Sequence, residues 1–298
     1  MMHSKSNSPV SLLLLYGLSV LFAGCLPGFR PTPEPIPSLQ LVEAEPASAG
    51  CVAVMLPGIL NSAKTFERHD FGALAAEYAP GLDVLAVDAH FAYYRKKQVL
   101  TRLREDIIVP LQEEGSEVWF VGTSLGGVGS LLYARGQDSG RSIPGAEDVA
   151  GLILLAPFMG DDDLLDEIEA AGGPIAWRAQ TEVDVGSLIQ AKKGRRNVAG
   201  QAIWSWLVDW HHAPQPKPRI VLSWGDEDGF DRAGTLAAGL LPESDVYVRS
   251  GGHDWKTWRL LFEDVLQDGV FEHCAPNPGA QGALANIAAA SAAVTTPE

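Results

Sequence analysis

Residues 117–134 read EVWFVGTSLGGVGSLLYA, and the reading of the whole chain turns on them. Val118-Trp119-Phe120-Val121 is a short apolar run rich in β-branched and aromatic residues, which predicts a buried strand. From Leu125 to Arg135 the pattern is that of a short, Gly-rich helix. Between them lies Gly122-Thr123-Ser124-Leu125-Gly126, a Gly-x-Ser-x-Gly pentapeptide. With 31 glycines in the chain the pentapeptide alone is weak evidence. Its setting gives it weight: a sharp turn from strand to helix lifts a serine hydroxyl above the end of a sheet, and flanking glycines relieve the crowding this creates.

Outward from this turn, short apolar runs alternate with amphipathic stretches. CVAVMLP (51–57), LDVLAVD (82–88), VAGLILLAP (149–157), PRIVLSWG (218–225) and SDVYVRSGG (244–252) join EVWFVG as buried strands. Helical spacing falls in 64–79, 94–114 with a kink at Pro110, 231–241 and 254–268. Strands alternating with helices predict an α/β domain with a doubly wound, mainly parallel sheet covered on both faces. The domain is expected over 47–274. The interval 160–214 is too long for a simple crossover and predicts an inserted helical lid, acidic at its start and carrying Trp204, Trp206 and Trp210 near its end. These tryptophans are expected either as an apolar wall for a substrate or as core, with Trp210 favouring core. The small-residue tail 275–298 is expected to be disordered.

A serine hydroxyl is a poor nucleophile at neutral pH unless a base accepts its proton. Of seven histidines, His253 follows the last strand in a Gly-Gly-His turn, at the sheet edge where Ser124 is expected; His90 and His212 are reserves. The acid that orients the imidazole is sought in the loop after IVLSWG. That loop offers Asp226, Glu227, Asp228 and Asp231, with Asp228 preferred over Asp226 and Asp231 free to cap the next helix.

The pentapeptide, the Gly-Asp-Glu-Asp loop at 225–228 and the segment Gly251-Gly252-His253-Asp254-Trp255-Lys256-Thr257-Trp258-Arg259 together resemble the α/β-hydrolase superfamily. The last segment is similar to the histidine region of serine esterases of the esterase D-like and feruloyl-esterase-like kind. The resemblance implies Ser124 as nucleophile, Asp228 as acid and His253 as base, in the chain order of that fold. It also implies an oxyanion hole from the backbone N–H groups of Leu125 and Ile59, although the early loop here is Leu56-Pro57-Gly58-Ile59-Leu60-Asn61 where the family often has His-Gly. The function implied is hydrolysis of a carboxylic ester through an acyl-enzyme. A thioesterase, acyltransferase or peptidase would use the same triad, and a non-catalytic binding lipoprotein on this fold would have no need of an activated serine. No cofactor and no metal site are expected, since neither clustered ligand spacings nor a phosphate-cradling loop with its lysine is present.

The N-terminus adds an address. Lys5 precedes an apolar run from Val10 to Ala23, too short for an ordinary membrane span, which predicts an export signal over 1–24. Phe22-Ala23-Gly24-Cys25 resembles a bacterial lipobox, so Cys25 is expected to be lipidated and to anchor the protein in the cell envelope; the alternative is a secreted form. Residues 25–46, rich in proline, are expected as a semi-rigid tether. Cys51 and Cys274 then remain as an even pair in an oxidising compartment, to pair or to stay as buried thiols. The net charge of −15 argues against nucleic acid as a partner, and KKGRR at 192–196 is expected as a solvated loop. A small-molecule acyl substrate is the partner that fits.

Overall fold

The computed structural model describes residues 30–43, 50–138, 141–142, 149–181, 198–274 and 281–295. Its centre is strand β2 (Cys51–Leu56), buried along its whole length because sheet neighbours and helices enclose it on every side. Such strands are apolar without alternation, as CVAVML is. β2 pairs in parallel with β3 (Leu82–Val87) on one side and with β4 (Glu117–Thr123) on the other. Beyond β4 follow β7 (Gly151–Leu155), β8 (Arg219–Gly225) and β9 (Val246–Arg249), all parallel. Beyond β3 lies β1 (Ser38–Val42), antiparallel, so the order is β1-β3-β2-β4-β7-β8-β9. A two-residue hairpin, β5 (Gln137–Asp138) and β6 (Arg141–Ser142), stands apart.

Helices α1 (Ala63–Arg68), α2 (Phe71–Tyr78) and α11 (Trp255–Gln267) pack together through Phe66, Phe71, Trp255 and Phe262, whose rings meet at 5.1–5.6 Å between centroids. The single helix expected over 64–79 is two, broken at Asp70, which takes a left-handed φ of 59°. Next come α3 (Phe91–Arg95), α4 (Val99–Leu103), a π-helical turn at Arg104–Ile108 and α5 (Val109–Glu113). Pro110, which has no N–H for a helical hydrogen bond, sits in the first turn of α5, directly after the π turn. Helix α6 (Leu125–Ala134) packs against β2, β4 and β7, and α10 (Asp231–Ala238) against β8. This is the doubly wound, mainly parallel α/β sheet that the alternation predicts.

The interval after β7 contains α7 (Asp162–Ala170), α8 (Pro174–Gln180) and α9 (Val198–His212). Trp204 is fully buried and donates from Nε1 to the Met159 carbonyl at 2.7 Å, while Trp210 is buried and donates to the Pro218 carbonyl at 2.9 Å. Both are core, and Trp206 packs against that core half-buried, so no tryptophan wall forms. The early acids of the interval face Arg232 of α10, which pairs with Asp166 and with Glu169 at 2.7 Å and so ties α7 to α10. KKGRR lies outside the described residues.

Two boundaries need correction. The domain starts by residue 30 rather than 47, because part of the expected tether is ordered. Arg30 pairs with Asp88 at 3.0 Å, Tyr93 donates to the Pro33 carbonyl at 2.8 Å, the Ile36 N–H reaches Asp106 at 2.8 Å, and SLQLV forms β1. The tail expected as disordered contains α12 (Gln281–Thr295). Ala283, Leu284, Ile287 and Ser291 recur at helical spacing and are buried against the sheet's β1 side. The Glu114 carboxylate accepts the Ala283 N–H at 2.6 Å, satisfying a donor that the first turn leaves free. Among the described residues no helix is long and apolar enough to cross a membrane.

Cys51 and Cys274 form a disulfide with Cα atoms 5.5 Å apart. It joins the start of β2 to the end of the segment after α11, at the sheet edge opposite Ser124. His273, the neighbour of both sulfurs, instead meets Glu117 at 2.7 Å. A bridge over 223 residues removes much freedom from the unfolded chain, on the order of 2–5 kcal/mol. Reduction with dithiothreitol is therefore expected to lower Tm by about 5–15 °C. The double variant Cys51→Ser, Cys274→Ser should start from that lower Tm and not respond to the reductant.

Candidate active site

The sheet order reverses at β2: the chain crosses from β2 to β3 on one side, then returns past β2 to β4 on the other. In open α/β sheets the crevice for a ligand lies at such a switch point, outside the carboxyl ends of the strands. Two segments meet there, the turn after β2 and the elbow after β4.

The elbow is strained and tightly held. Ser124 has φ 51° and ψ −112°, left of the ordinary regions for a side chain larger than glycine's. Its N–H donates to the Leu155 carbonyl at 2.9 Å, and its carbonyl accepts from Gly127 at 3.0 Å and from Phe158 at 3.4 Å. Gly126 makes the turn possible, since a Cβ there would stand 1.9 Å from the Leu56 oxygen. Ser124 thus sits at the N-terminus of α6, where unpaired N–H groups and the helix dipole favour negative charge. The Leu125 amide is the first of them. On the other side, Gly58 lies against the serine, with a built Cβ 3.5 Å from Ser124 Cβ. The Asn61 N–H donates to the Gly58 carbonyl at 3.1 Å, closing a turn with Ile59 and Leu60 at its tip. Ile59 therefore follows directly on the residue that lies against Ser124. The Asn61 side-chain oxygen lies toward Gly58, 3.1 Å from its built Cβ.

The remaining two residues come from the loops after β8 and β9, which the parallel register Gly225↔Arg249 holds side by side. His253 Nε2 is 2.9 Å from Ser124 Oγ. His253 Nδ1 lies 2.8 and 3.0 Å from the two oxygens of Asp228. Asp228 is buried, and it accepts the Phe230 N–H at 2.8 Å, which fixes its carboxylate. Asp226, the other candidate acid, is exposed and accepts the Gly251 N–H at 3.1 Å, bracing the histidine loop. Asp231 is the first residue of α10, and Phe230 holds the cap position. The reserve histidines are engaged elsewhere. His90 is buried, caps α3 through Ala92, and is held below the ordinary histidine range by burial; His212 is exposed at the end of α9.

One feature of the site lies outside the sequence reading. The His253 ring stands between two aromatic rings, Phe230 at 4.6 Å and Trp258 at 4.8 Å, both nearly perpendicular to it. The imidazole is thereby confined in the plane that joins Asp228 to Ser124, with edge-to-face contacts of about 0.5–1.5 kcal/mol each. Trp258 belongs to the histidine segment itself, five residues beyond His253, whereas Phe230 is brought to the ring only by the geometry of the acid's loop.

No protein-family model and no curated protein sequence matches the chain. Among solved structures it is similar to S-formylglutathione hydrolase from Staphylococcus aureus (14% identity, 74% of this chain and 81% of that chain, TM-score 0.47). It is also similar to a monoacylglycerol lipase from Paleococcus ferrophilus (14% identity, 78% and 99%, TM-score 0.45) and to a ferulic acid esterase (14%, 73% and 83%, TM-score 0.41). The strand order, the elbow after β4 and the helices on both faces make this the α/β-hydrolase fold.

A side chain at position 126 would drive α6 away from β2. Gly126→Ala is expected to cost about 3 kcal/mol or more, read as a lower midpoint in guanidinium chloride, because the clash is with backbone.

Proposed function

We propose that the protein is a serine hydrolase that cleaves a carboxylic ester through an acyl-enzyme. The observation that carries this reading is the unbroken hydrogen-bonded line from Asp228 through His253 to Ser124 Oγ. In the proposed reaction His253 Nε2 takes the Ser124 proton as Oγ attacks the ester carbonyl. Asp228 holds the proton of Nδ1 and stabilises the imidazolium. The amides of Leu125 and Ile59 receive the developing oxyanion. His253 then gives its proton to the leaving alcohol, which departs as the tetrahedral intermediate collapses to the acyl-enzyme. Water, deprotonated by His253, attacks the acyl carbon and releases the acid, and the proton returns to Ser124.

Ser124→Ala is expected to abolish both hydrolysis of p-nitrophenyl acetate and labelling by a fluorophosphonate probe. Asp228→Asn, which leaves the shape intact but spoils the tautomer, should lower kcat by about 10³–10⁴. A wild-type protein that turns over no ester and takes no label would turn the reading to a binding lipoprotein.

We infer further that the protein is exported and held by a lipid on Cys25, which lies outside the described residues. The disulfide supports an oxidising compartment. Cys25→Ala should move the protein from the membrane pellet to the soluble fraction after cell lysis; retention in the pellet would overturn the anchor.

A further inference from the structure

Large apolar side chains that stay in water are uninformative singly and informative when they gather. Among the described residues five are exposed: Ile59, Leu60, Phe158, Ile175 and Val248. Three of the five belong to segments that touch Ser124: Ile59 and Leu60 follow Gly58, which lies against the serine, and Phe158 meets its carbonyl. Ile59 and Leu60 form the tip of the turn that begins at Gly58, where polar or glycine residues are usual, and Leu60 is 75% exposed. Phe158 flanks the serine through its N–H, which donates to the Ser124 carbonyl at 3.4 Å, and the residue is 37% exposed. The Phe158 ring contacts Phe230 at 5.3 Å, and Phe230 in turn contacts His253 at 4.6 Å. An aromatic wall therefore runs from the base past the nucleophile, while an aliphatic turn begins beside the nucleophile.

We infer that this arrangement is the seat of an apolar acyl group, so that the preferred substrate is an ester of a medium- or long-chain acid rather than an acetate. The inference rests on the serine-hydrolase reading above. Its physical basis is that the apolar surface of Leu60 and Phe158 is left in water in the free protein and would be covered by an acyl chain. Each methylene so covered contributes a factor of about 4 to binding, at about 0.8 kcal/mol per buried CH₂. Because nothing polar is required of the chain, selectivity should follow length rather than shape. The acids of α7 are not part of this wall; Asp166 and Glu169 are occupied by Arg232.

The test is the ratio of kcat/KM for p-nitrophenyl octanoate to that for p-nitrophenyl acetate, measured on the wild type and on Leu60→Ser, Phe158→Ser and Val248→Ser. The wild-type ratio is expected to exceed about 10. Leu60→Ser and Phe158→Ser should each lower it at least about fivefold, as expected for losing contact with one to two methylenes. Val248→Ser removes an apolar residue of intermediate exposure, between those of Phe158 and Leu60, from the edge strand β9 and should leave the ratio unchanged. A wild-type ratio near or below 1, or equal losses on both esters in the two site variants, would overturn the apolar acyl seat. Labelling of Ser124 by a fluorophosphonate in that case would leave the nucleophile assignment standing. Absence of both turnover and label would instead fail the hydrolase reading itself, and the acyl seat with it.

Discussion

The contact between Gly126 and the carbonyl of Leu56 is the constraint from which the site follows. Helix α6 can start directly over the end of β2 only because nothing projects from position 126. That start forces Ser124 into its left-handed conformation and aims its side chain out of the sheet edge. The backbone cost of such a residue, of order 1–3 kcal/mol, is offset by the hydrogen bonds that pin the turn to β7 and α6. With the serine so placed, parallel pairing does the rest. Strands β4, β7, β8 and β9 each deliver the following loop to the same edge, and three of those loops carry Ser124, Asp228 and His253.

Most of this was readable from the chain, and for a physical reason. Buried parallel strands must be apolar on both faces, so they stand out as uninterrupted runs; the six runs singled out are six of the seven strands in the sheet, but β9, expected to be buried, is the edge strand and is half-buried to exposed because only one neighbour covers it. The site residues were readable because each lies within a few residues of a strand's end, where position in sequence fixes position in space. The choice between Asp226 and Asp228 needed coordinates. Two residues apart in one turn, they differ only in which way the loop points them: one faces the histidine ring, the other the backbone of Gly251.

What the sequence hid lies at the margins. β1 is an edge strand of five half-buried residues following a proline-rich stretch, and its pattern is too weak to separate from a tether. Helix α12 is built almost wholly from alanine and other small residues. Such composition suits a helix as well as a disordered tail, and only the burial of Ala283, Leu284, Ile287 and Ser291 distinguishes them. The aromatic enclosure of His253 was hidden differently. Phe230 reaches the imidazole from the acid's own loop, a contact that no periodicity records.

The C-terminal helix does more than fill a groove. Ser291 Oγ donates to the Ser38 carbonyl and accepts the Ser38 N–H, each at 2.8 Å, and thus occupies backbone groups on the open side of β1. A free strand edge is a template on which another molecule's strand can add, and capping it with a helix is one way proteins remain apart in solution. A chain shortened before residue 281 would keep Ser124, Asp228 and His253 together, and yet bare the edge of the sheet that this helix shields, leaving backbone groups of β1 open to pairing with another strand.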